Sequence, residues 1–379
     1  SEFARRTMEI ASEVGWDIWA LHADHTTVKK GTEEELADIE ALLSAQLKAG
    51  YTSFSIDASY LFNFEGKTVK EELDKNVEVT TRLAKKIEYL LGSKEFGLEV
   101  EVGEIGKKGT EGMVLTTPDE ASTFIKELNA RGVEPQVLAI ANGSTHGNIY
   151  DEFGNLIPQV TIDIPLTQRV AQALRKINSP VRIAQHGITG TPLEMISTQF
   201  PHGDIIKGNV GTLWMNIVWD VLKLYHPDVY KNIYDWTIQN YTKPGKRETE
   251  IFGTSSKNAI VRHFDSIYTM SPEAEKALET LAYYNALTFF YAFKARGSAQ
   301  LVRNYLGVRK PFWLVSIKIP KAKKREKKTE KPDEKTVTKP EKKQSKKPVK
   351  KSVKKATKKV TKKVAKKLTK KSTGKRKKK

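Results

Sequence analysis

The sequence predicts an α/β protein built on a TIM (β/α)8 barrel, followed by a helical extension and a lysine-rich tail. Two observations predict the barrel. From Ser1 to about residue 213, short apolar runs alternate with amphipathic stretches, the pattern of βα repeats around a parallel sheet. Each apolar run also delivers a chemically capable residue at its C-terminal end: Asp24 and His25, Asp57, Glu101, His146, His186 and Asn209. A barrel builds its active site from the ends of several strands on that face, whereas a doubly wound sheet recruits fewer strands at one switch point.

The elements follow in order. Ala4–Val14 reads as a helix that should follow an earlier strand. Strands are expected at Asp17–Leu21, Ser53–Asp57, Leu98–Val102, Gln136–Ala141, Val181–Gln185 and Asp204–Asn209. Helices are expected at Thr32–Ala49, Val69–Leu91 and Pro118–Arg131, each with apolar residues at three- and four-residue spacing. Leu36, Ile39, Leu42, Leu43 and Leu47 form one such face, and Pro118 with Asp119 marks a helix start. A closed barrel needs eight strands and this sequence supplies six, so the expectation is that residues 1–212 lack the first two βα units. Residues 213–317, rich in Trp, Tyr and Phe, are expected to be helices packed on the barrel or at a subunit interface. Within them Leu281–Phe293 reads as a buried or subunit-contact helix, too short and too rich in Tyr for a membrane span.

Charge divides the chain sharply. Of 65 basic and 45 acidic residues, Lys321–Lys379 holds 30 and 5, which leaves 35 and 40 for the rest. The body is mildly acidic, so the basic pI does not imply a nucleic-acid-binding barrel. The tail, residues 318–379, has almost no large apolar side chain and repeats in fours from Pro348, so it is expected to be disordered. Such a polycation would hold nucleic acid or another polyanion by counterion release, and it has no aromatic for base stacking. There is no cysteine, which excludes disulfides and thiolate ligands and is compatible with a cytoplasmic location. No membrane association and no signal peptide are expected.

The chemistry centres on histidine. His25, His146 and His186 each close a strand-like run, and three such positions could occupy three corners of a tetrahedron around Zn2+, leaving the fourth for substrate. With no cysteine present, any zinc must use histidine and carboxylate. His22, read as an alternate residue of the first strand, is expected to point away from the site, and Glu99 likewise. His202, His226 and His263 lack comparable context and read as surface or loop residues. Asp57 has a rival role as a helix cap.

Six segments resemble the class II, zinc-dependent ketose-bisphosphate aldolases, the fructose- and tagatose-bisphosphate aldolases. Leu21-His22-Ala23-Asp24-His25 is similar to the family's His-x-Asp-His, and Phe54-Ser55-Ile56-Asp57-Ala58-Ser59 to its Met-Ile-Asp-Ala-Ser. Leu98-Glu99-Val100-Glu101-Val102-Gly103 and Ala141-Asn142-Gly143-Ser144-Thr145-His146-Gly147 resemble Val-Glu-Ala-Glu-Leu-Gly and Ala-x-Gly-x-x-His-Gly. His186-Gly187-Ile188-Thr189-Gly190 resembles His-Gly-x-Ser-Gly, and Lys207-Gly208-Asn209-Val210-Gly211-Thr212 resembles Lys-x-Asn-x-x-Thr.

The resemblance implies an aldehyde-lyase with a glycolytic type of reaction and a phosphorylated ketose substrate. His25, His146 and His186 would bind the catalytic zinc, and Asp24 would carry the C4 hydroxyl proton. Asp57 and Glu101 would line the metal region, where relatives sometimes hold a second divalent or monovalent cation. Gly147, Gly187, Ile188, Thr189, Asn209, Val210, Gly211 and Thr212 would cradle a phosphate through backbone N–H groups and hydroxyls. The family's loop motif Gly-Gly-x-Glu-Asp is broken here to Gly106-Lys107-Lys108-Gly109-Thr110-Glu111-Gly112, and Glu111 is the candidate for the second acid/base. A homodimer or larger homo-oligomer is implied. The alternative is a non-catalytic or moonlighting barrel that binds polyanions through its tail.

Overall fold

In a computed structural model of the chain, the described residues are 2–307 apart from 107, 110 and 111. The elements in order are α1 (Glu2–Glu13), β1 (His22–Thr27), α2 (Glu33–Lys48), β2 (Ser53–Asp57), α3 (Val69–Leu91), β3 (Gly97–Glu101), β4 (Lys108–Gly109), β5 (Gly112–Met113) and α4 (Pro118–Ala130). They continue through β6 (Val137–Ala139), β7 (Ile149–Tyr150), β8 (Leu156–Ile157), α5 (Ile164–Lys176), β9 (Arg182–Gln185), α6 (Leu193–Thr198) and β10 (Ile205–Gly208). Six helices follow: α7 (Thr212–Tyr225), α8 (Pro227–Tyr241), α9 (Glu248–Ser255), α10 (Phe264–Tyr268), α11 (Pro272–Ala292) and α12 (Ser298–Leu306). The Lys-rich residues 318–379, and Glu111, lie outside the described residues.

The six long strands form one parallel sheet in the order β1-β2-β3-β6-β9-β10. Each new strand is added beside the last, which is barrel order rather than a doubly wound order with a switch point. The sheet curls. Laid flat, five strand spacings would separate β1 from β10 by about 24 Å. Yet Lys207 Nζ on β10 lies 2.7 Å from Asp24 Oδ1 on β1. Among the described residues the two edge strands share no ladder, so the sheet is a part-barrel of six strands.

Local chemistry explains most boundaries. Thr68 caps α3 and accepts from the Glu71 N–H, while Gly92 ends it in the left-handed region. Thr117 and Glu120 form a capping box before Pro118. Phe54, Ile56, Val100, Leu138 and Ile183 from the strands pack against Leu36, Leu83, Phe124, Leu128 and Val170 from the helices, all buried in one core. A second apolar cluster, including Trp219, Leu222, Ile233 and Phe252, lies within α7–α10.

Two expectations need correction. The first strand is His22–Thr27, not Asp17–Leu21. The apolar run before it leaves Trp16 and Trp19 exposed, and the ladder starts where Thr52 N donates to the Leu21 carbonyl. The strand is polar because its inward side chains are matched by charges from across the curl, a pairing no local pattern displays. Leu281–Phe293, expected to be a buried or a subunit-contact helix, is not the buried one: Tyr283, Tyr284, Phe290 and Tyr291 are exposed, and α11 meets the core mainly through Phe289, Ala292 and Phe293. Among the described residues no helix is long and apolar enough to cross a membrane.

Candidate metal centre

A one-residue bulge in β1 creates the site's first corner. Ala23 pairs with Phe54 and Thr26 with Ile56, so Asp24 and His25 together face a single position of β2. His25 absorbs the extra residue in the left-handed region at φ 58°, a conformation that costs a non-glycine residue about 1–2 kcal/mol. Strict alternation would send Asp24 and His25 to opposite faces; the bulge turns both to the C-terminal mouth of the sheet. His186 follows β9 directly and is buried, while His146 stands at the exposed rim beyond β6.

The three rings converge. Their centroids are 5.2 Å apart for His25–His146, 5.6 Å for His25–His186 and 5.0 Å for His146–His186. Two buried carboxylates close the floor. Asp57 spends Oδ1 on the Ser59 N–H and hydroxyl, at 3.0 and 2.6 Å, and turns Oδ2 to His25 Nε2 at 3.6 Å. It thus caps the turn after β2 and faces the site at once. Glu101 Oε2 lies 3.2 Å from His25 Nδ1, without the alignment of a hydrogen bond.

His25 Nδ1, Asp57 Oδ2 and Glu101 Oε2 are all buried with no hydrogen-bond partner. Such orphans are costly in a folded protein, and here they surround one ring: Glu101 Oε2 faces His25 Nδ1 and Asp57 Oδ2 faces His25 Nε2. Ligand atoms of His25, Glu101 and His186 all fall within 4.8 Å of each other. Imidazole nitrogens with carboxylate oxygens form a donor set suited to zinc, so the residues fit a resident cation. Glu101 raises the His25 imidazole to about 9, and burial raises the Glu101 carboxyl. Burial, with the neighbouring rings, holds the His186 imidazole down to about 3, while partial desolvation at the rim and the His25 charge lower His146.

Asp24 belongs to a second group. Lys207 Nζ donates to Asp24 Oδ1 at 2.7 Å and to the buried Glu99 Oε2 at 2.6 Å, and it lies 3.2 Å from His22 Nε2. Asn209 Nδ2 reaches both oxygens of Asp24 at 3.2 Å and lies 3.5 Å from His186 Nε2. Desolvation pushes the Asp24 carboxyl up, but His22 and the Lys207 ammonium outweigh it and hold the group below the usual carboxylate range. His22, Asp24 and Glu99 could in isolation hold an ion. The Lys207 ammonium, between Asp24 and Glu99, already supplies that positive charge.

Three histidines and two carboxylates thus meet where six strands end, with an ionised aspartate beside them. The family model for "Fructose-bisphosphate aldolase class-II" matches residues 2–263. The chain belongs to the class II fructose-bisphosphate aldolase family. Among solved structures it is similar to a fructose-bisphosphate aldolase of Campylobacter jejuni, with 18% identity, 71% of this chain and 74% of that chain covered, and a TM-score of 0.42. For a candidate fructose-1,6-bisphosphate aldolase of Coccidioides immitis the figures are 20%, 71%, 78% and 0.40. For a fructuronate-tagaturonate epimerase of Cohnella laeviribosi they are 10%, 76%, 68% and 0.46. No curated protein sequence matches the chain.

In this aldolase-family chain the residues expected to cradle a phosphate come from three stretches, at Gly147, Gly187–Thr189 and Asn209–Thr212. Gly147 takes φ 81° with the Thr212 hydroxyl 3.6 Å from where its Cβ would be, and Gly187 takes φ 74°. The Leu213 N–H, in the first turn of α7, donates to Thr189 Oγ1 at 3.2 Å. This joins the Gly187–Thr189 stretch to Asn209–Thr212. The side chains of Ile188 and Val210 pack in or against the core, which leaves only their backbone facing outward from it. His202, His226 and His263 stand at loops and helix ends, as expected.

Sequence reasoning missed Lys207 as a partner of Asp24, and it placed His22 and Glu99 outside the site. His22 and Asp24 are two apart on one strand, so they share a face; that spacing was the available signal for His22. Asn142 and Gln185 were missed too. They exchange amide hydrogen bonds at 2.8 and 3.2 Å, both fully buried, and Gln185 Nε2 also donates to the His186 carbonyl at 3.0 Å. They brace the ends of β6 and β9, from which His146 and His186 depart.

Proposed function

We propose that this protein is a zinc-dependent class II ketose-bisphosphate aldolase, an aldehyde-lyase that reversibly cleaves fructose 1,6-bisphosphate or its C4 epimer tagatose 1,6-bisphosphate. The products are dihydroxyacetone phosphate and glyceraldehyde 3-phosphate. The observation that carries the proposal is the convergence of the His25, His146 and His186 rings, with His25 set against orphaned Asp57 and Glu101 oxygens and ionised Asp24 alongside. His25, His146 and His186 would hold the zinc, with Asp57 and Glu101 behind His25 able to take a second cation. When bound, the metal supplies a Lewis acid that polarises the substrate ketone and favours enediolate formation.

The chain's own residues would do the rest. Asp24, kept as a carboxylate, accepts the C4 hydroxyl proton as the C3–C4 bond breaks and the C4 carbonyl forms. The bond's electron pair moves to the ketone side, and the enediolate is reprotonated at C3 by a second acid, for which Glu111 is the candidate. Lys207 and Asn209 fix the Asp24 carboxylate. Gly147, Gly187, Thr189 and the Asn209–Thr212 turn into α7 offer N–H and hydroxyl donors to a phosphate.

The test is to measure bound zinc and EDTA-sensitive release of dihydroxyacetone phosphate from each bisphosphate. Metal-replete protein that cleaves neither would sink the proposal. A second property rests on charge: the 30 basic residues of Lys321–Lys379 against 5 acidic support salt-sensitive, sequence-independent polyanion binding. The exposed aromatic side chains of α11 support a homo-oligomer, checked by sedimentation.

A further inference from the structure

The segment between β8 and α5 returns from the β7–β8 hairpin and lies across the two loops that carry His146 and His186. Gln159 is its centre and is fully buried. Its Oε1 accepts from the Thr145 N–H at 2.8 Å and the Thr145 hydroxyl at 2.7 Å. Its Nε2 donates to the Gly187 carbonyl at 2.5 Å, and its own N–H donates to the Gly190 carbonyl at 2.8 Å. Thr145 precedes His146 and Gly187 follows His186. One amide therefore touches the immediate neighbour of each histidine. The fit leaves no slack: a Cβ on Gly187 would lie 1.8 Å from Gln159 Nε2. The rest of the segment holds the His146 loop only, through Thr161 Oγ1 to the Gly143 carbonyl at 2.6 Å and Asp163 N to the Asn142 carbonyl at 2.8 Å.

We infer that Gln159 is a positioning residue for the metal centre, setting the separation of His146 from His186 by bridging Thr145 to Gly187. The inference rests on the metal-site reading above. The Asn142–Gln185 pair ties the two loops at their roots, whereas Gln159 bonds Thr145 and Gly187, the residues beside the rings, which sit on loops rather than on strands. Loops without a tie sample a range of separations, whereas a metal demands one, so the bridge reduces the reorganisation needed on binding.

The full chain tests this with zinc alone as the probe, using competition against a chromophoric chelator. Gln159→Met keeps length and volume but removes both bonding groups, and is expected to weaken zinc binding by about 10-fold or more. It should also change the visible absorption of the cobalt(II)-loaded protein, which reports ligand geometry. Ile233→Ala, in the second apolar cluster, is the control: it should lower the melting temperature of the EDTA-treated protein and leave zinc affinity alone. Zinc affinity and cobalt spectrum unchanged in Gln159→Met would overturn the inference, as would an equal loss in Ile233→Ala. If Gln159→Met does not fold, Thr145→Ala removes one of the same bonds and must still weaken zinc; unchanged affinity there is equally fatal. Wild-type protein that binds no zinc would overturn the metal reading itself and the positioning role with it.

Discussion

Asp24 and His25 are adjacent in sequence, and the bulge between Ala23 and Thr26 turns both to the mouth of the sheet, where they serve two different groups. His25 joins the other two histidines, whereas Asp24 joins Lys207, Glu99 and Asn209. The two roles should separate by mutation. His186→Ala is expected to abolish stoichiometric zinc by elemental analysis. Asp24→Asn should retain zinc and lose about 10²–10⁴-fold in kcat for bisphosphate cleavage. Lys207→Met leaves Glu99 buried without its partner, a change that costs about 3 kcal/mol in a buried pair and less here because Lys207 is partly exposed. Urea unfolding should show that loss, and adding Glu99→Gln should recover most of it. No recovery in the double variant would mean that the Lys207–Glu99 pair is not the source.

At the scale of elements, β2 and α3 have the boundaries their sequences predict, because their signals are local: apolar spacing, Thr68 as a cap and Gly92 as a stop. β1 does not, because its stability comes from across the curl. The end of α11 is likewise placed by a distant strand. Phe293 packs on Gly208 of β10, where a Cβ would lie 2.4 Å from the ring. Gly208→Ala is therefore expected to destabilise by about 1–3 kcal/mol through overpacking. Combining it with Phe293→Leu should cost less than the two single losses added, as read by urea denaturation. Simple additivity would show that the two residues do not press on each other.

On the scale of the whole described chain, six strands curl far enough for β1 and β10 to exchange side-chain bonds while sharing no ladder. Distant segments add ties of their own. Arg303 on α12 pairs with Asp17 just before β1, with Nε 2.9 Å from Oδ2, and lies 5.6 Å from the Trp16 ring centre. The Arg303 guanidinium holds the Asp17 carboxyl below its ordinary 3.8. A depressed folded pKa contributes stability that is present above the unfolded value and lost as pH falls through the folded one. Arg303→Ala should thus lower stability fully at pH 7, and the penalty should shrink below about pH 4. Denaturation at the two pH values checks it; a penalty unchanged at low pH would mean packing on Trp16, not charge, is what was lost.

The sequence by itself determined the parallel α/β class, the places of the sheet strands after the first, and which histidines and carboxylates, His25, His146, His186, Asp57 and Glu101, are candidates for a metal site. These were legible because strand periodicity and strand-end chemistry are local, and because six short motifs stand in one family's order. Only the tertiary structure decided which carboxylate keeps which partner. Lys207 lies 183 residues from Asp24 and meets it because the sheet curls. Gln159 sits in a segment with no periodic signal, and it bridges two histidine loops only once the hairpin has folded back. Contacts closed over long sequence distances leave no trace in local pattern, and the centre of this site is made of them.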